Sequence, residues 1–266
     1  MKKIFILGLD GLEYNFVEEW DLTHLKQKEY GKIVVPIDRK LGVPNTPEVW
    51  ASFLTGEHIR LSFEDYNTLS PVHKILKFLR KYINVSLGLS KKIRKRVLGV
   101  HGFPRVKLKT FLDIKESKMI NVPYYNYDGK VLTVTSYFGA ERLSLEQTIK
   151  LLEGIYKVRK KQIINGIDFE TADILFAYMH FPDALQHFLF VKPSKIKNLY
   201  IDLNKFVYDL KSRIPNSVLF LIISDHGFEL KEGIHSKHGF YSSNKPLSPK
   251  PTNITDFYGL ITKMLE

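Results

Sequence analysis

Three apolar runs in this chain each end at an acid. Residues 3–9 close on Asp10-Gly11, residues 173–179 lead into HFPDALQH with its Asp183, and residues 218–223 run into Asp225, His226 and Gly227. Runs of this length and branching read as strands buried on both faces. The amphipathic stretches 13–28, 144–164 and 195–213 read as helices. Strand and helix in alternation predict an α/β fold, a mainly parallel sheet sandwiched by helices. A carboxylate buried at a strand end is costly unless something compensates it. For adjacent Asp and His, a divalent metal is the cheapest compensation.

At 266 residues, with 44% hydrophobic and 26% charged content, the chain can bury a full core. The expected organisation is one α/β domain over 1–266, with a basic helical insertion or cap at about 57–130. The absence of cysteine excludes disulfides, thiolate metal sites and a Cys nucleophile. No apolar run reaches bilayer-spanning length, and MKKIFILGLDG reads as a first buried strand rather than a signal peptide. The expected location is therefore the cytoplasm, with peripheral membrane attachment as an added option.

The net charge of +12 is concentrated. Twelve of the 40 Lys and Arg lie between residues 70 and 110, where no acid occurs, so 28 remain to balance the 28 acids elsewhere. A solvated helix face is the plain explanation. An anionic membrane surface or nucleic acid is the functional one. Few aromatics interrupt the segment, and its amphipathic spacing favours a membrane or a phospholipid-like substrate.

In VPNTPEVWASFLTG, Thr46 is a good N-cap, Pro47 fits the first turn, and Gly56 fits a C-terminal stop. A helix start of this kind suits a phosphate, although capping threonines are also common structural features. Asp183 and His187, four apart, would share one helix face and reach a single ion. Ser144-x-x-Gln147 forms a capping box, residues 32–36 a short strand, and 255–265 a closing helix. Residues 119–139 suggest a hairpin-like return about Asp128-Gly129, and 57–130 otherwise carry little strand signal. In a parallel sheet, ligands bind beyond the carboxyl ends of the strands. Asp10, Asp183, Asp225, His187, His226 and His235, with Thr46, would converge there and supply ligands for two divalent metals.

At LGLDG, NTPEVWASFLTG, FPDALQH, SDHGF and GIHSKHGF the sequence resembles the alkaline phosphatase superfamily, in its nucleotide pyrophosphatase/phosphodiesterase-like branch. The resemblance implies that Asp10, Thr46, Asp225 and His226 hold one metal, and Asp183, His187 and His235 the other. His235 fits that pattern better than His238, because it stands four residues before Gly239. It further implies Thr46 as nucleophile, a phosphothreonine intermediate, and Asn67 on a non-bridging phosphate oxygen. The expected cofactors are two divalent ions, zinc first, with manganese or iron also suited to N/O ligands. The expected substrate is a phosphate ester, nucleotide-like or phospholipid-like. A sulfatase is set aside, since Thr46-Pro47-Glu48 lacks the Cys or Ser with Pro and Arg close behind. Two alternatives stand beside the hydrolase. One is a metal-binding module docking to membrane or nucleic acid through residues 70–110; the other is a phosphomutase or phosphotransferase on the same core.

Overall fold

The computed structural model describes residues 3–61, 103 and 107–266. Its strands are β1 (Ile4–Leu9), β2 (Glu29–Val34), β3 (Ser117–Ile120), β4 (Ile174–Met179), β5 (Leu219–Ser224), β6 (Gly227–Glu229), β7 (Ile234–Ser236) and β8 (His238–Ser243). Six of them form one sheet in the order β2-β8-β5-β1-β4-β3, and β6 pairs with β7 in a separate hairpin. β1 is parallel to β4 and β5, and β3 is parallel to β4. β8 runs antiparallel to both β5 and β2, so it alone opposes the other five.

The described helices are α1 (Tyr14–Glu19), α2 (Thr23–Lys26), α3 (Thr46–Thr55), α4 (Lys130–Gly139), α5 (Leu145–Gly166), α6 (Asp183–Leu189), α7 (Pro193–Lys211) and α8 (Asp256–Leu265). Every residue of β1, β4 and β5 is buried, and their side chains alternate between two cores. Phe5, Leu7 and Leu9 meet α1, α2 and α4–α7, while Ile4 and Ile6 meet α3 and α8. This is a three-layer α/β fold with a mostly parallel sheet, the architecture expected from the alternating pattern. No described helix is long and apolar enough to cross a membrane.

α3 is wedged tightly. A Cβ at Gly8 would stand 2.8 Å from Trp50 Cη2, so this strand position must be glycine for the indole to lie on the sheet. Trp50 also meets Phe53 and Tyr178 edge-on, with ring centroids 5.7 and 5.3 Å apart.

Four expectations are corrected. The stretch 13–28 is two short helices, because Asp21 takes a left-handed φ of 46° and Asn204 of α7 caps α2, accepting from the amides of His24 and Leu25. The short strand starts three residues and ends two residues upstream of expectation, where it registers Glu29–Val34 against β8. There is no hairpin at 119–139. Asn121 accepts from the Asp128 amide, Asn126 accepts from the Val122 amide, and Gly129 at φ 66° starts α4. The β-branched run KVLTVTSYF buries Val131, Val134, Thr135 and Phe138, a helical period that overrides its strand propensity. Finally, β3 lies within 57–130 and extends the sheet, so this part of the proposed cap belongs to the core. The lysine- and arginine-rich stretch itself and Asn67 lie outside the described residues.

Trp50→Ala is expected to cost about 3–5 kcal/mol, since the rigid sheet beneath it cannot collapse into the void. Urea unfolding with an unchanged m-value would measure this.

Candidate metal centre

The three acids, with His187 and His226, follow the carboxyl ends of parallel strands. Asp10 follows β1, Asp183 opens α6 after β4, and Asp225 and His226 follow β5 directly. His235 sits on β7, and Thr46 is the first residue of α3. Here too an expectation is corrected. Asn45, not Thr46, occupies the N-cap position, and it makes no side-chain capping bond. The threonine hydroxyl is thereby free of capping and lies 3.1 Å from His226 Nε2.

Two triads result. In the first, His226 Nε2 is 3.2 Å from Asp10 Oδ1 and 3.4 Å from Asp225 Oδ2. In the second, His187 Nε2 is 3.2 Å from Asp183 Oδ1 and 3.2 Å from His235 Nε2, and His235 Nε2 is 3.7 Å from Asp183 Oδ1. The triads adjoin, with the His226 and His235 rings stacked at 3.6 Å.

Three observations test whether these residues suit metal ions. Asp10 Oδ1, Asp183 Oδ1 and Asp225 Oδ2 are buried and have no hydrogen-bond partner among the described residues. Unpaired buried carboxylate oxygens are expensive. His226 Nδ1 lies 3.0 Å from the Gly227 carbonyl and His235 Nδ1 lies 3.1 Å from the Pro44 carbonyl. Donation there leaves each Nε2 with its lone pair directed at the triads. The spacings also match: a tetrahedral ion with bonds of about 2.0–2.1 Å separates its ligand atoms by roughly 3.4 Å. The donor set fits.

The titration behaviour shows the same demand for positive charge. Burial and the neighbouring Asp10 push the Asp225 carboxyl well above the carboxylate range. Burial opposes charge on His226, yet Asp225, Asp10 and Asp183 hold its pKa up at about 10. His235 is depressed to about 3 by burial and by the His226 and His187 rings. Asp183 is held far below the ordinary range by His187 and His235, against the cost of burial. The raised pKa values of His226 and Asp225 both reflect excess negative charge among the buried acids, which divalent cations would offset.

Several further side chains support the centre. Tyr178 donates to Asp10 Oδ2, which also lies 3.6 Å from His180 Nε2, and Tyr127 OH meets His180 Nδ1 at 2.9 Å. These contacts occupy one Asp10 oxygen and leave the other facing the triad. Gly11 holds φ +73°, and a Cβ there would stand 2.6 Å from the Asp183 Cβ, so only glycine lets the two acids approach. Buried Glu13 accepts from the Phe228 amide and the Ser236 hydroxyl, each at 2.9 Å, and meets His238 Nε2 at 3.2 Å. Glu13 thus pins the hairpin that carries His235, and His238 belongs to this bracing rather than to a triad. The closeness of Glu13 to Asp10 and of His180 to Asp183 in HFPDALQH were the available signals; nothing in the sequence linked Tyr178 or Tyr127 to Asp10.

No family model matches the chain, and no curated protein matches it. Among solved structures, it is similar to murine ectonucleotide pyrophosphatase/phosphodiesterase 5, an inactive form in complex with AMP. The identity is 15%, the TM-score 0.42, and the match covers 85% of this chain and 57% of the murine one. The chain thus spans little more than half of that protein. It is also similar to Ps i-CgsB in complex with k-i-k-neocarrahexaose, at 11% identity and TM-score 0.48 over 99% and 72% of the two chains. A third similar structure is PH0037 from Pyrococcus horikoshii, at 14% identity and TM-score 0.41 over 91% and 85%.

Two outcomes are expected. Metal-stripped protein given Zn2+ at a hundred times its Kd should gain about 2.7 kcal/mol per occupied site, read as a rise in Tm, and Asp183→Asn should lower the bound metal on elemental analysis. Glu13 is opposed by burial but held below its usual pKa by His238 and the Asn15 and Phe228 amides. Its stabilisation is therefore complete above the unfolded value of about 4.3 and is lost as pH falls through the lowered folded value. Glu13→Gln should flatten that acid limb in urea titrations from about pH 7 to pH 3.

Proposed function

We propose that this chain is a metal-dependent phosphoester hydrolase of the phosphodiesterase or nucleotide pyrophosphatase type, with Thr46 as its nucleophile. The observation that carries the reading is the Thr46 hydroxyl, at a helix start and 3.1 Å from His226 Nε2, beside two adjoining Asp/His triads. On this reading Asp10, Thr46, Asp225 and His226 hold one divalent ion, and Asp183, His187 and His235 hold the other. Bound there, the ions would lower the pKa of the threonine hydroxyl and offset charge on the phosphoryl oxygens. Two imidazoles and one carboxylate in the second triad suit zinc, with manganese or iron as the other ions to test.

The chain's own residues supply the remainder. Trp50 and Phe53 clamp α3 against the sheet, and Tyr124 donates to the Pro47 carbonyl, so Thr46 is held on a rigid helix start. The dipole of α3 favours an anion at that point. Thr46 Oγ1 forms a bond to phosphorus as the bond to the leaving oxygen breaks, and the hydroxyl proton ends on the leaving oxygen. Water then displaces the threonine, releasing the phosphorylated product and restoring the hydroxyl. Asn67 is the proposed donor to a non-bridging oxygen. The murine protein named above binds AMP, and for this chain a nucleotide ester is the proposed substrate, with a phospholipid-like ester as the comparison.

Thr46→Ala is expected to lower hydrolysis of an aryl phosphodiester roughly a thousand-fold or more, while Thr46→Ser keeps measurable turnover. Mass spectrometry of acid-quenched wild-type enzyme should find the phosphoryl group, still carrying the ester group the substrate retains, on Thr46. Wild-type rates from the alanine variant would overturn the assignment.

A further inference from the structure

A groove of about 340 Å³ lies outside the centre, lined by Lys32, Val34, Lys237, His238, Lys250 and Thr252 among others. None of its lining residues is acidic, and no ion pair ties Lys32, Lys237 or Lys250 to a described carboxylate. All three lysines are exposed, and Lys32 is braced with its ammonium 5.0 Å over the Tyr14 ring. Three ammonium groups around one concavity, none paired with a described carboxylate, make a positive potential that favours an anion there.

Topology places this groove on the same rim as the triads. β2 is an edge strand whose last residue, Val34, registers against His238, the first residue of β8. β8 runs antiparallel to β5, so its start lies beside the carboxyl end of β5, where Asp225 and His226 stand. Lys237 is two residues beyond His235, at the bend that joins β7 to β8. His238 lines the groove on one side and contacts Glu13, the carboxylate that braces the His235 hairpin.

We infer that Lys32, Lys237 and Lys250 form a second anion subsite, which takes an additional phosphate of the same substrate at a distance from the scissile one. This deepens the hydrolase reading and rests on it, and it narrows the substrate to esters carrying more than one phosphate. Ammonium groups are point charges without the planar fork of arginine, so the subsite selects charge and leaves the geometry of the second phosphate loosely defined.

The test uses Lys32→Gln/Lys237→Gln/Lys250→Gln in the full chain, whose exposed substitutions should leave Tm near wild type. The first arm is calorimetric titration with inorganic triphosphate in EDTA, which needs neither metal nor turnover. The second is steady-state hydrolysis of the p-nitrophenyl ester of thymidine 5′-phosphate, with and without a 3′-phosphate. We expect triphosphate affinity to fall ten-fold or more in the variant. We also expect KM to rise ten-fold or more for the 3′-phosphorylated ester alone, with kcat unchanged. Equal triphosphate affinity in both proteins would overturn the subsite. Weaker triphosphate binding with KM unchanged for both esters would make the groove a site for a free anion and overturn its role in substrate selection. Loss of hydrolysis by both proteins, with the binding difference intact, would count against the hydrolase reading instead.

Discussion

The burial of three carboxylates at neighbouring strand ends is the constraint from which the rest of the molecule follows. Asp10 and Asp225 are wholly enclosed and Asp183 nearly so, and each keeps an oxygen without a hydrogen-bond partner among the described residues. Such groups repel each other and lose their hydration, a combination that folding tolerates only when cationic or proton-donating groups surround them. Four features around the acids answer to that need: glycine at position 11, the imidazoles of His187, His226 and His235, the Tyr178 hydroxyl, and the amide of Gly11 directed at Asp225.

A rigid platform makes the arrangement possible. The central strands are buried on both faces, and α3 is held by interlocked aromatic rings rather than by its own propensity. That stiffness fixes the first residue of α3 opposite His226. The hairpin bearing His235 has little core of its own and is held through Glu13, a single buried acid reached by an amide, a hydroxyl and an imidazole. The basic groove then lies where the antiparallel edge of the sheet meets the same rim, so a ligand extending from the triads toward β2 would meet positive charge.

Much of the sheet was legible in the chain, because strands buried on both faces must be apolar throughout and therefore stand out from amphipathic helices. β1, β4 and β5, the α5 capping box and the Gly56 stop all follow from local rules. Where local preference was weak, tertiary contacts decided. Asn204 splits the first helical stretch, the partner strand β8 shifts β2, and two asparagines turn an apparent hairpin into a loop and a helix. None of these partners is near in sequence, so no periodicity could have revealed them.

The same division holds for the centre. Residue type and spacing singled out Asp10, Asp183 and Asp225 as acids at or just beyond strand ends, and His187, His226 and His235 on the connections that follow, because a strand that terminates in a carboxylate is a local pattern. The assembled structure decided that Thr46 opens its helix instead of capping it, and that His238 pairs with Glu13; it joins His235 to Asp183, as the family resemblance implied. Tyr178 and His180, which secure the second oxygen of Asp10, likewise emerge only in three dimensions. The reason is physical. Which atom meets a buried charge depends on distances between strands adjacent in space and far apart in the chain, and composition and period carry no record of those distances.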